Sequence, residues 1–192
     1  CSGVVGAHSP VSVSDNCNPS PTVTQTPPPS TLLVGHNDVE IITLTADDGN
    51  GNTQFCTFTV TLKDITPPTV VCKPFTAALN AGGTVTITTA NVFQSGADNC
   101  GTVNQVSVIP NLFTCANLGP NTVTLTVNDG NGNTATCTAI VTVVDLIPPT
   151  MLCKNITKAL DANGMVSVTA AEINNGSFDN CTLFSLSLAP GS

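Results

Sequence analysis

Arginine, tryptophan and tyrosine are absent, and lysine appears only four times. Against twelve acidic residues this leaves a formal charge of −8. A chain so short of positive charge has no basic face for nucleic acid or for an anionic membrane. No apolar run is long enough to span a bilayer, and no long amphipathic helical pattern is present. C-x-x-C pairs are missing as well, so the nine cysteines point to disulfides rather than zinc. Disulfides belong to an oxidising, extracytoplasmic space, and an odd count leaves at least one cysteine free or bonded to another chain. Catalytic signals are equally scarce. His8 and His36 have no matching Ser or Cys nucleophile arrangement, no glycine-rich phosphate loop opens a helix, and nothing selects a working pair among the carboxylates. The expectation is a protein that is not an enzyme and carries no cofactor. The chain starts at Cys1 without Met or a signal segment, which predicts that something upstream is missing or was removed; a lipoprotein cleaved before a lipidated cysteine would begin the same way.

Thr, Val, Asn and Gly dominate, the composition of short strands and tight turns. One stretch occurs twice, at 40–64 and 121–145, and the offset is 81 residues, from Cys56 to Cys137 and from Asp48 to Asp129. Val123, Leu125 and Val127 alternate with threonines, the period of a half-buried strand. Asp-Gly-Asn-Gly-Asn then reverses the chain, since these residues accept positive φ. After the turn, Ala135, Cys137, Ala139, Val141 and Val143 share one face, as do Cys56, Phe58, Val60 and Leu62. Each copy reads as a β-hairpin with its cysteine turned toward the core.

The repetition extends further. Pro-Pro-Thr-x-x-Cys-Lys at 67–73 recurs at 148–154, and Asp-Asn-Cys stands at 15–17, 98–100 and 179–181. The Pro pairs set three units: 1–66, lacking its first strand; 67–147, complete; and 148–192, stopping before its hairpin. Extended segments are predicted over 3–13 and 21–26, over 69–72, 84–88, 103–109 and 112–115 ahead of the second hairpin, and over 166–168 and 183–188. No helix is predicted. Short strands at regular spacing make an all-β sandwich, and units of roughly 80 residues are small enough to need disulfide staples.

These residues resemble the hyalin repeat (HYR) domain. The likeness rests on C-x-G-V-V at 1–5, the three Asp-Asn-Cys triplets, the T-x-x-D-G-N-G-N-T-x-x-C hairpins and the D-x-x-P-P junctions. It covers nearly the whole chain. It implies tandem immunoglobulin-like β-sandwiches, and for bacterial members a repeat module of secreted and cell-surface proteins with an adhesive or structural role.

Unit 67–147 holds four cysteines and so three connectivities. The expected pairs are Cys72–Cys137, joining first and last strands, and Cys100–Cys115, closing a local loop. Cys1–Cys17 is the expected local pair of the first unit. Cys56 then lacks a first-strand partner, Cys153 lacks a hairpin partner, and Cys181 is left over. Two arrangements compete. The chain is a window cut from a longer tandem array, or copies join head to tail, with residues 149–158 of one chain completing the first unit of the next through a Cys153–Cys56 bond.

Asp48, Asp129 and the neighbouring Asn residues are candidate calcium ligands, and Asp64 and Asp145, just before the Pro pairs, are candidates for an interdomain calcium. The same letters also serve a tight hairpin without any ion, and the D-x-D-x-D-G spacing is absent. Asn155, Asn175 and Asn180 match the N-glycosylation pattern. The functional expectation is an extracellular, cell-surface filament or rod; its partners are further copies or a continuation of the same chain, with no nucleic acid and no membrane insertion. The alternative is an adhesin stalk or a carbohydrate-binding module, against which stands the lack of Trp and Tyr, with Phe55, Phe58 and Phe113 placed in strands as core. A spacer domain on a secreted enzyme is a third expectation.

Overall fold

A computed structural model describes residues 1–10, 12–182 and 185–189. The chain is all-β. Its strands are β1 (Ser2–Val4), β2 (Thr22–Thr26), β3 (Leu32–Val34), β4 (Val39–Asp47), β5 (Thr53–Thr61), β6 (Thr69–Cys72), β7 (Phe75–Ala78), β8 (Thr84–Thr86), β9 (Phe93–Ala97), β10 (Asn104–Ile109), β11 (Leu112–Thr114), β12 (Gly119–Asn128) and β13 (Thr134–Val144). The expected segment 166–168 is not a strand; of 3–13, Gly3 and Val4 belong to β1, Val11 lies outside the described residues, and the others form no strand. Of the expected strand at 183–188, Leu183 and Phe184 lie outside the described residues, and the remainder is irregular.

Two one-turn helices, α1 (Thr89–Val92) and α2 (Ala170–Ile173), correct the expectation of no helix. Their cause is local. Asn91 Oδ1 accepts the Thr88 N–H at 2.8 Å, and Glu172 Oε2 accepts the Thr169 N–H at 2.8 Å, the return bond of a capping box.

Two compact units divide the described residues, and neither is continuous in sequence. The first comprises Cys1–Val70, Gly96–Asn104 and Val127–Ala135. Its three-stranded sheet runs β2-β4-β5, all antiparallel, beside the β1–β3 ribbon. Val5, Leu33, Ile42 and Leu44 form its core, with Val23, Val60 and Leu62 packed against them. The alternation in β4 decides this: Ile42 and Leu44 point inward while Ile41 stays exposed.

The second unit comprises Val71–Ser95, Gln105–Thr126 and Thr136–Ser192. Its sheet runs β10-β12-β13-β7, with β7 parallel to β13 in the register Val141↔Phe75 to Val144↔Ala78. An antiparallel β8–β11 ribbon accompanies it. Ala77, Leu79, Ile87, Val92, Val108, Phe113, Leu125, Val141 and Val143 are all buried.

The backbone repeats as the sequence does. Val4↔Leu32 in the first ribbon becomes Val85↔Phe113 in the second, both positions displaced by 81. The Asp48 N–H donates to Asn52 O at 3.2 Å, and the Asp129 N–H donates to Asn133 O at 3.2 Å. Gly49, Gly51, Gly130 and Gly132 all have φ between 80° and 105°, the conformation that makes glycine necessary in both turns. Lys73 N–H to Val92 O and Lys154 N–H to Ile173 O repeat in the same way.

Candidate functional site

The disulfides are Cys1–Cys100, Cys72–Cys137 and Cys115–Cys181, while Cys17, Cys56 and Cys153 are free and exposed. The bond between first strand and last strand is the expected one. The two short-range pairs, Cys1–Cys17 and Cys100–Cys115, are corrected. Asp98 Oδ2 accepts the N–H groups of Cys100 and Gly101 at 2.8 and 2.7 Å, which curls the Asp-Asn-Cys loop tightly. The loop cysteine then meets a ribbon of the preceding repeat: Cys100 meets the start of β1, and Cys181 meets the end of β11. These bonds span 99 and 66 residues and link successive 81-residue repeats rather than closing loops within one. Three disulfides place the chain in an oxidising environment. No helix among the described residues is long and apolar enough to cross a membrane.

Two of the free cysteines, Cys56 and Cys153, stand where the repeat pattern is incomplete. The order β10-β12-β13-β7 has its counterpart in β2-β4-β5, strand for strand, except that no strand among the described residues occupies the fourth position. β5 is therefore an edge. Residues 53–59 are exposed on both faces, whereas Ala139, Val141 and Val143 of β13 are buried. Phe55 is 66% and Phe58 36% exposed, which corrects their assignment to the core; Phe113 alone of the three is buried, at 1%. Cys56 lies on this edge and lines a groove of about 290 Å³ together with Val23, Leu44, Phe55 and Pro10.

The other place is residues 148–169. These residues repeat the sequence of β6, β7 and β8, yet every one of them is exposed, and among the described residues they form two isolated bridges, Thr150↔Phe178 and Cys153↔Asn174. Leu79 is 4% exposed and its equivalent Leu160 is 64%; Ile87 is 2% and its equivalent Val168 is 41%. The same letters that make a core beside β13 have no hairpin to cover them here.

No protein-family model matches the chain, and no curated protein matches it.

Asp64 and Asp129 are the buried acidic residues, at 7% and 2% exposure. They come together with Asp98, one oxygen of each lying within 4.8 Å of the others. Asp98 carried no signal as a ligand in the sequence, because its triplet drew attention to the cysteine. Asp64 Oδ1 accepts the Thr66 N–H, and Oδ2 accepts Asn131 Nδ2 at 3.0 Å. Asp64 N–H donates to His36 Nδ1 at 3.0 Å, so half-buried His36 holds the segment that follows β5. Asp129 Oδ1 accepts the N–H groups of Asn131 and Asn133, and Oδ2 accepts Asn133 Nδ2. Burial pushes the Asp129 carboxyl up, but these hydrogen bonds outweigh it and hold the group below the usual carboxylate range. Asp48 is likewise held low, chiefly by Asn52 Nδ2 at 2.7 Å.

Asp48 and Asp145 lie outside this cluster. Asp145 Oδ1 accepts Ile147 N–H and Asn180 Nδ2. Asn180 is thereby half-buried and engaged, beside the bonded Cys181, which removes it from the accessible glycosylation candidates; Asn155 and Asn175 are exposed. His8 is exposed and stands edge-on to Phe58, with ring centroids 5.1 Å apart.

Proposed function

We propose that this chain is a structural element of an extracellular rod made of tandem immunoglobulin-like sandwiches of the hyalin-repeat type, in which one copy completes the next by strand addition. The observation that supports this is the open fourth position beside β5, matched by an uncovered copy of the strand that fills it beside β13. Transferring the β13–β7 register by one repeat pairs residues 156–159 of one copy with residues 60–63 of its neighbour, beginning Ile156 against Val60. The same displacement turns Cys72–Cys137 into Cys153–Cys56, and both of those thiols are exposed and free. Backbone pairing along an open edge supplies affinity, and alternate side chains entering the core supply register.

Such a contact is head to tail and does not close on itself, so it generates a filament. An 11-residue strand such as β13 spans about 36 Å at about 3.3 Å per residue, which sets the rise of each sandwich along the rod. The mechanism is mechanical: disulfides lock successive repeats, Pro pairs limit bending, and the number of units sets length. The acidic, Thr-rich surface disfavours stray edge pairing. The test is electron microscopy of the purified chain with denaturing gels run with and without reductant. Filaments and a ladder of roughly 20 kDa steps that reductant collapses to one band are expected. Globular monomers that run as one band in both gels would overturn the proposal.

A further inference from the structure

Asp64, Asp98 and Asp129 are drawn together from three separate stretches of chain: the segment before a Pro pair, the Asp-Asn-Cys loop, and the tip of the second hairpin. All three belong to the first compact unit. Packing here is close. A Cβ added at Gly101 would collide with the Asp129 carbonyl oxygen, so only glycine lets the loop lie against the hairpin. The Cys1–Cys100 bond anchors the same loop.

Three carboxylates in this space repel one another, and none has a cationic partner. The one ion pair among the described residues is Lys158–Glu172. Loop geometry accounts for Asp98 Oδ2, which takes two backbone N–H groups. It does not account for Oδ1. That oxygen has less than 1 Å² of exposed surface and no hydrogen-bond donor reaches it. An anionic oxygen shut off from both water and donors is costly unless a cation takes its lone pairs. The feature recurs at the next repeat. Among the described residues the buried side-chain oxygens without a partner are Asp98 Oδ1, Asp179 Oδ1 and Asn180 Oδ1, all from the same triplet. Asp179 and Asp145 are the repeat equivalents of Asp98 and Asp64, but the third member, equivalent to Asp129, would come from a hairpin that 148–192 does not include.

We propose that Asp64, Asp98 and Asp129 bind a calcium ion. The donor set is oxygen only, without thiolate or imidazole, which selects a hard cation over zinc or copper. Calcium accepts six to eight oxygens in irregular geometry, whereas magnesium demands a strict octahedron and holds its waters. Asn131 and Asn133, whose side-chain amides already face Asp64 and Asp129, bring neutral oxygens within reach when the amide turns over. The ion ties the end of one repeat to the loop and hairpin of the next, where a rod bends. The site lies within one chain, so it stands whether or not copies join.

The test uses the whole chain stripped with EGTA, titrated with calcium chloride by calorimetry and followed by thermal unfolding. With no Trp or Tyr, fluorescence is not the readout of choice. One calcium per chain and a rise in Tm are expected, with magnesium at least tenfold weaker. Asp98→Asn keeps a carbonyl for the Cys100 and Gly101 N–H groups. It is expected to lose calcium binding at least tenfold while its Tm in EGTA equals or exceeds that of the unmodified chain, because a repulsive charge is gone. Asp64→Asn is expected to behave alike, and Asp179→Asn to bind normally. Absence of calcium heat in the unmodified chain overturns the proposal. So does an Asp98→Asn or Asp64→Asn chain that binds normally, or one whose Tm falls equally with and without calcium, the mark of a purely structural carboxylate.

Discussion

Leu79 and Leu160 occupy the same place in successive repeats but differ in exposure, 4% against 64%. The same substitution should therefore do opposite things at the two positions. Leu79→Ala opens a cavity in the second unit, and a buried Leu→Ala costs about 2–5 kcal/mol of folding stability. Leu160→Ala removes a side chain already in water, so the isolated chain should unfold within about 0.5 kcal/mol of its unmodified midpoint. Its cost appears on assembly. If Leu160 enters the first unit of a neighbour as Leu79 enters its own sheet, the change in exposure covers roughly 110 Å², about 2.8 kcal/mol at about 25 cal/mol per Å². Alanine recovers a little of that, leaving a loss of about 2 kcal/mol, or roughly thirtyfold in the dissociation constant between copies. The assay is sedimentation under reducing conditions, so that Cys56 and Cys153 do not mask the affinity, alongside urea unfolding of dilute monomer. Equal dissociation constants for Leu160→Ala and the unmodified chain would refute the strand-addition reasoning. So would a monomer destabilised as much as by Leu79→Ala.

Three further outcomes follow from the same geometry. The Cys72→Ser, Cys137→Ser chain, which loses a bond across 65 residues, should be less stable by about 4 kcal/mol in urea unfolding, and an unchanged midpoint would show that the bond constrains nothing. Gly101→Ala should lower the unfolding free energy by about 1–3 kcal/mol, because its Cβ is driven into the Asp129 carbonyl oxygen; wild-type stability would contradict the close packing of loop and hairpin. The Lys158 ammonium, with the Thr169 N–H and hydroxyl, lowers the Glu172 carboxyl from 4.5 to about 2. A depressed carboxylate stabilises above its unfolded value, so the order it gives α2 is complete above about pH 4.5 and fades as pH falls toward about 2; an NMR titration of the Glu172 carboxyl carbon with a midpoint above 4 would refute this.

The hairpins were the most legible part of the sequence, because alternation, turn glycines and an 81-residue offset all agree there. Strands β3, β7 and β9 escaped. They are three to five residues long, and β7 reads Phe-Thr-Ala-Ala, which gains its place from parallel pairing with β13 rather than from any local preference. The disulfides show why spacing misleads. Cys100 and Cys115 are close in sequence, but the tight Asp98 loop and the β11 ribbon send them to different repeats. Cys56 and Phe58 sit on the face that the pattern assigns to the core, yet a face is buried only if something covers it, and the covering strand of that repeat is not within 1–192. Of the acidic cluster, Asp64 and Asp129 were visible as candidates. Asp98 was not, since only the fold brings three distant stretches to within 4.8 Å.

Copies labelled with ¹⁵N should be mixed with unlabelled copies under reduction, reoxidised, digested without reductant and mapped by mass spectrometry. Strand addition predicts a Cys56–Cys153 peptide pair in which one half is labelled and the other is not, with Cys17 the remaining free thiol of the nine. Cys56 and Cys153 found as free thiols, or joined only within single copies, would contradict it.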